Sequence, residues 1–254
     1  RHTRLQGDWS SDVCSSDLKI PVLKFNSEAH STDNVKVKSF IFENNQRIKL
    51  FCQKERVTEF TFLKAVFKLA VHVMTNETDL VVGAPSANRH QKNLQNVVGL
   101  FVNTLIIRNQ IEPSKTFRKF LKTCKKNVID AYNNQQVPFS SLKEAYKANH
   151  GSDQLFQIMF ALHNVIVPSF NFSDLEIEVI RLFWGADNVD LITEIWDKDG
   201  AYKLNFTYRP STVNSGELNL LVDIYFYLIE IVLMMPELTL AELSERATLS
   251  LAEF

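Results

Sequence analysis

Residues 79–108 read DLVVGAPSANRHQKNLQNVVGLFVNTLIIR, and the order of apolar and polar positions in this stretch sets the architecture. Asp79 to Ala84 is a short β-branched run, and Phe101 to Arg108 is a second. Each has the length and composition of a strand bounded by turn-forming residues, so the stretch predicts two strands around a polar loop. Upstream, Thr58 stands where an N-cap belongs, before a helix whose Phe62, Leu63, Val66, Phe67, Ala70, Val71 and Met74 form one stripe. Downstream, Pro113-Ser114 opens a helix that places Phe117, Phe120, Leu121, Cys124, Val128, Ala131 and Tyr132 on one face.

The same alternation extends to both sides. Val35, Val37 and Phe40-Ile41-Phe42 predict a strand, and Gln46 to Lys54 a short helix. Phe139 to Ala148 predicts another helix, followed by strands at Leu155–His163, Leu175–Phe183 and Asp190–Trp196. The last of these turns through Asp197-Lys198-Asp199-Gly200 into Tyr202–Tyr208, a hairpin with glycine where positive φ is easiest. A long helix from about Ser215 to Met235 stops at Pro236. Strands alternating with helices predict an α/β fold, a mixed sheet with covering helices in the manner of an α+β sandwich. Residues 1–18 repeat a Ser-Asp theme without amphipathic period, and the reading sets them aside as a non-native scar. Residues 19–245 then form the folded unit, and 246–254 a linker or truncated end.

Composition narrows the function classes. The chain has 254 residues, 45% hydrophobic and 22% charged, with net charge −1, which fits a globular protein and not a phosphate-neutralising nucleic-acid binder. The most apolar run, Leu218 to Met235, carries Asn219, Asp223 and Glu230 at helical spacing, so it predicts a core helix rather than a membrane span. Three separated cysteines, Cys14, Cys52 and Cys124, offer neither a disulfide framework nor a zinc pair, and they point to a reducing, cytoplasmic setting. No nucleophile elbow, phosphate loop or His-Glu-x-x-His occurs. His72 and His163 read as structural histidines, and His150-Gly151-Ser152-Asp153 as a turn.

Four blocks in order carry a family resemblance: Gly83-Ala84-Pro85-Ser86-Ala87-Asn88-Arg89, Gly99-Leu100-Phe101-Val102-Asn103-Thr104, Asn134-Gln135-Gln136-Val137-Pro138-Phe139, and Leu155-Phe156-Gln157-Ile158-Met159-Phe160. They resemble the C-terminal half of the condensation domains of nonribosomal peptide synthetases, with Asp190-Leu191 matching a later block. The resemblance runs from about Val35 to Leu243. It implies one of two chloramphenicol-acetyltransferase-like lobes set in a V around a tunnel, in a domain roughly twice this length. It further implies peptide-bond formation between aminoacyl or peptidyl thioesters carried on the phosphopantetheine of carrier proteins. No cofactor is bound, the partners are carrier domains and adjacent synthetase domains, and neither nucleic acid nor membrane takes part. Catalysis in that family centres on a His-His-x-x-x-Asp-Gly motif in the N-terminal lobe, so no catalytic residue is expected in this chain.

The resemblance assigns Gly83, Pro85, Asn88, Arg89, Gly99, Asn103 and Thr104 to the tunnel or to a floor loop beneath it. Gly83 to Arg89 would follow a strand as that loop, with Arg89 anchoring it to a carboxylate. Asn103 and Thr104 interrupt an apolar strand, and alternation buries one of them, either as a strut to backbone or facing the pantetheine arm. Gln135, Pro138, Phe139 and Asp190 read as structural. Asn134 and Gln136, where the family has His and Asp, together with Ser140, His150 and Gln154, depart from the pattern. Lys115, Arg118, Lys119, Lys122, Lys125 and Lys126 form a basic strip that is either a solvated face or a docking patch for an acidic carrier. Two alternatives stay open: a non-catalytic lobe that binds a carrier protein, and an ester-forming, cyclising or epimerising relative.

Overall fold

The computed structural model describes residues 35–43, 45–89, 92–94, 96–152, 154–163, 189–198 and 200–252. The first eighteen residues and the strand expected at Leu175–Phe183 lie outside them. The elements are β1 (Lys36–Phe42), α1 (Asn45–Glu55), α2 (Glu59–Thr75), β2 (Asp79–Ser86), β3 (Asn103–Gln110), α3 (Phe117–Asn133), α4 (Phe139–His150), β4 (Ile158–His163), β5 (Leu191–Lys198), β6 (Ala201–Tyr208), α5 (Ser215–Met234) and α6 (Leu240–Ala252). The strands form one mixed sheet in the order β1-β6-β5-β4-β2-β3. The central pairs β2–β4 and β4–β5 are parallel and the flanking pairs antiparallel. This is the α/β layer fold that the sequence predicts.

Strand alternation divides the core between the two faces of the sheet. Leu80 and Val82 of β2 join the large cluster built by Phe62, Phe67, Phe160, Phe206 and Tyr225, beneath α2 and α5. Val81, between them, turns the other way and meets Ile106, Leu142, Tyr146, Leu155 and Phe156 under α4. Helix α2 begins where expected, with the Thr58 hydroxyl accepting from the Thr61 amide. It is buried from Thr61 through His72, more completely than a single stripe requires, because α3, α5 and α6 pack around it. That burial takes in Lys64 and Lys68. Lys68 Nζ reaches Leu80 O at 3.1 Å, Ile107 O at 2.7 Å and Asn109 Oδ1 at 2.8 Å, whereas Lys64 Nζ has no hydrogen-bond partner among the described residues.

Helix α5 buries Leu218, Leu221, Val222, Tyr225, Leu228, Ile229 and Val232 and opens with an Asn214–Glu217 capping box. Among the described residues no helix is long and apolar enough to cross a membrane. Several boundaries differ from the sequence reading. β3 begins at Asn103 rather than Phe101, because Phe101 leaves the strand line and its ring lies 4.4 Å from the Arg89 guanidinium. α3 begins at Phe117 behind a Thr116 cap, and the predicted opening at Pro113-Ser114 is a turn. β2 runs on through Pro85 to Ser86: β4 pairs with it only at Val82 and Gly83, so the proline sits where the strand has one neighbour.

Gly200 in the β5–β6 hairpin takes φ +85°, the left-handed conformation that the turn requires. Gly83 is constrained differently. A Cβ there would lie 2.6 Å from the Phe156 ring, so the glycine lets the aromatic lie flat on β2. Gly83→Ala is therefore expected to cost about 1–2 kcal/mol through forced repacking. Chemical denaturation should show the loss as a lower midpoint with unchanged slope.

Candidate functional site

A groove of about 960 Å³ opens at the carboxyl ends of β2, β4 and β5, where ligands of open α/β sheets commonly sit. Its apolar wall comes from Val57, Phe60, Val128, Ile129 and Tyr132, and its polar side from Lys49, Glu59, His163 and Asp197. Most of the polar groups are already engaged. Asp197 accepts from Asn45 Nδ2 at 2.6 Å and pairs with Lys49 at 2.6 Å. Glu59 accepts the Tyr202 hydroxyl, and burial together with that carboxylate holds the phenol far above its ordinary pKa. Burial, and then Glu59, push the Cys52 thiol up to about 12, so it is an inert part of the wall.

His163 ends β4 on the rim of this groove. Its Nε2 lies 2.9 Å from Glu194 Oε1, and its ring stacks on Trp196 at 3.8 Å and 10°. Sequence reasoning missed this arrangement because the parallel register that brings β4 against β5 joins segments some thirty positions apart. His72, by contrast, is the structural histidine expected, its Nδ1 bound to Glu77 O at 2.8 Å.

Of the residues that the sequence assigned to a tunnel or floor loop, only Pro85 lines the groove, alongside its neighbours Ser86 and Ala87. Gly83, Pro85 and Ser86 lie within β2, so the connecting loop starts at Ala87 rather than Gly83. Asn88 takes φ 51° as the chain turns away. Among the described residues Arg89 meets no carboxylate. Its guanidinium donates to Leu94 O at 2.5 Å, Val97 O at 2.7 Å and Gly99 O at 3.0 Å, and covers the Phe101 ring. Backbone carbonyls converge there because the loop folds back over the side chain, so the anchor ties the loop to itself. Beyond that staple Val98 is 100% and Leu100 92% exposed.

Asn103 is a strut. Its Nδ2 donates to Gln135 O at 2.9 Å and Val137 O at 2.8 Å, and its Oδ1 accepts from the Phe139 amide at 3.1 Å. Thr104, its half-buried neighbour, pairs with Pro85 across the ladder. Gln135 Oε1 accepts from Ser86 Oγ at 2.9 Å, which ties the α3–α4 connection to the end of β2 as well. Pro138 caps α4 without a side-chain bond, and Phe139 packs its ring 5.7 Å from Phe156. Asp190 pairs with Gln157, backbone to backbone and Oδ2 to Nε2, each at 2.9 Å, and so joins the starts of β4 and β5. These residues assemble the frame around the groove.

The basic strip is partly consumed inside the fold. Arg118 binds Glu55 and Glu237, Lys115 pairs with Glu112, and Lys125 donates to Arg56 O.

Three comparisons with known proteins agree. A sequence model of the family described as "Condensation domain" matches residues 14–250. Bacitracin synthase 1 of Bacillus licheniformis is 29% identical over 190 residues, which is 74% of this chain and 4% of that protein. Among solved structures, the holo-AB3403 four-domain nonribosomal peptide synthetase bound to AMP and glycine superposes with TM-score 0.79 at 16% identity, over 92% of this chain and 19% of that one. The X-domain from teicoplanin biosynthesis gives TM-score 0.78 at 14% identity, over 92% of this chain and 55% of that one. The chain thus spans a small fraction of the curated relatives it matches and about half of a single solved domain of this fold.

Proposed function

Because the chain belongs to the condensation-domain family, we propose that residues 19–245 are the C-terminal, chloramphenicol-acetyltransferase-like lobe of a condensation domain in a nonribosomal peptide synthetase. The domain joins an acceptor amine to a donor thioester, both delivered on phosphopantetheine by carrier domains. The amine nitrogen forms a C–N bond to the thioester carbonyl, the C–S bond breaks, the pantetheine thiol leaves, and the amine sheds a proton. Such a reaction asks mainly for positioning and for polar groups near the reacting carbonyl. The contribution of this chain is to wall the reaction space with the groove at the carboxyl ends of β2, β4 and β5 and to hold that wall rigid through the Ser86–Gln135 and Asn103 links.

The observation that carries this reading is the exposed apolar loop that Arg89 holds in shape. Val98 and Leu100 stand free of this chain's core while the loop carrying them is fixed from within. Apolar side chains held out to solvent next to backbone that Arg89 pins suit a face covered by a second lobe. The extent of the match to the X-domain, about half of that chain, supports the same division.

The test compares this chain with an intact condensation domain containing it, each supplied with donor and acceptor carrier thioesters. The intact domain is expected to yield the amide-linked product and the 254-residue chain none. Product from the chain alone, lost on replacing one of its own histidines, would overturn the assignment. So would an intact, folded domain that forms no amide bond with any of a panel of aminoacyl acceptors.

A further inference from the structure

We infer that His163, held by Glu194 and Trp196 at the end of β4, is the groove's contact for a primary amine carrying an apolar substituent. An ionised carboxylate only accepts hydrogen bonds, so the 2.9 Å contact to Glu194 Oε1 requires the proton of the ring on Nε2. The neutral ring then keeps its lone pair on Nδ1. Among the described residues that nitrogen has no protein partner, and His163 lines the groove. Trp196 fixes the plane of the ring from below, and the parallel register pairing His163 with Trp196 and Ala161 with Glu194 sets both supports on β5. An imidazole oriented by a carboxylate on one nitrogen and open on the other is built to accept an N–H.

The neighbouring groups define the ligand. Asp197 is occupied by Asn45 and Lys49, and Glu59 by the Tyr202 hydroxyl, so neither offers a free carboxylate pair to an ammonium. Val57, Phe60, Val128 and Ile129 line the same groove and favour an aliphatic or aromatic substituent on the amine. In this site R–NH3+ passes one proton to Nδ1 and becomes R–NH2 with a free lone pair, while Glu194 neutralises the imidazolium that results. The assignment of this amine to the acceptor aminoacyl group rests on the condensation reading above. Binding of an amine at His163 does not.

The experiment therefore has two arms. In the first, the 254-residue chain with labelled histidines is titrated with leucinamide and, separately, with N-acetyl-leucinamide, which matches its side chain but lacks the amine. The His163 ring resonance, assigned by its loss in H163Q, should move saturably with leucinamide and stay put with the acetylated probe. Glu194→Gln should weaken leucinamide binding at least fivefold, because a neutral amide no longer balances the imidazolium that forms. No movement with leucinamide, or equal movement with both probes, overturns the inference.

In the second arm the intact condensation domain is assayed from pH 5.5 to 9 with a soluble leucyl thioester acceptor. H163Q should raise the acceptor KM at least tenfold and displace the acidic limb of the profile, with donor KM unchanged. The charged groups bearing on that limb are Glu194 on β5, Glu59 on α2, and the Asp197–Lys49 pair joining β5 to α1. An H163Q domain with wild-type acceptor KM and profile overturns the assignment of the amine to the acceptor. A wild-type domain that forms no amide overturns the condensation reading and leaves the leucinamide arm to decide on His163.

Discussion

Lys64→Met should make this protein more stable, by roughly 1–4 kcal/mol, the range found when buried ion pairs give way to apolar residues of similar volume. Lys64 Nζ is fully enclosed, has no hydrogen-bond partner among the described residues and lies 5.0 Å from the Phe60 ring centroid. Burial first, and Lys68 beside it second, pull its pKa well below the ordinary value of 10.5. Folding must therefore desolvate this amine and disfavour its charged form, with nothing returned by a hydrogen bond among the described residues. Methionine fills a similar volume without that loss. Lys68→Met should behave oppositely, because it orphans Leu80 O, Ile107 O and Asn109 Oδ1. The pH dependence follows from the same groups. Burial pulls Lys68 to about 7, so between there and 10.5 the unfolded chain binds more protons and stability rises with pH. Burial pushes Cys124 up to about 11 and Cys52 to about 12 from 9.0, so above pH 9 the folded chain holds thiol protons the unfolded chain has lost, which opposes the lysine effect. The protein should gain stability from pH 7 to 9, level off between 9 and 10.5 where the lysine and cysteine effects oppose each other, and lose stability above that. In Lys64→Met, which removes a group whose folded pKa lies below its unfolded one, the rise should be shallower. Melting curves at several pH values check both claims, and a variant that melts at or below the wild-type temperature refutes the first.

What the sequence discloses and what it hides divide along range of interaction. The Thr58 cap, the Gly200 turn, the apolar face of α3 and the strand at Asp79 depend on neighbours within a few positions, and each is visible in the order of residues. The partners of Arg89 lie only five to ten residues away, yet they are backbone carbonyls, and no residue type announces a carbonyl as an anchor. Asn103 and Gln135 are 32 positions apart, and His163 and Glu194 31 apart, so both pairs exist only once strand order is fixed. Alternation predicted that one of Asn103 and Thr104 is buried, whereas both are half-buried, and it could not say where the amide pointed. Lys64 and Lys68 pass in the sequence for the polar edge of an amphipathic helix. They are buried because α3 packs over a face of α2 that its own residues would have left to water. The motifs thus fall on residues that frame the groove, while the polar groups lining it, His163 and Glu59 among them, come from residues that no local pattern marks.

Asn103→Ala should destabilise the protein by about 2–3 kcal/mol while the fraction that remains folded keeps its peptide-forming competence in the intact domain. Three backbone groups depend on this one amide: the carbonyls of Gln135 and Val137 and the N–H of Phe139. Phe139 opens α4, and Pro138 at its N-cap has no side chain able to accept a bond. Asn103 therefore caps α4 from the neighbouring strand, and truncation leaves the helix start and two carbonyls to whatever water can reach the half-buried site. Asn103→Asp sharpens the test. Its carboxylate still accepts from the Phe139 amide, but once ionised it faces the two carbonyls that Nδ2 had satisfied, whereas the protonated acid can donate to one of them. The aspartate variant should thus lose stability as pH rises through the carboxylate range, and the alanine variant should follow the wild-type pH profile at a constant offset. Hydrogen exchange should locate the loss at Phe139 and the first turn of α4. A side chain that instead served the thioester arm would give the reverse result, with melting unchanged and single-turnover peptide transfer slowed. That outcome would return Asn103 to the tunnel.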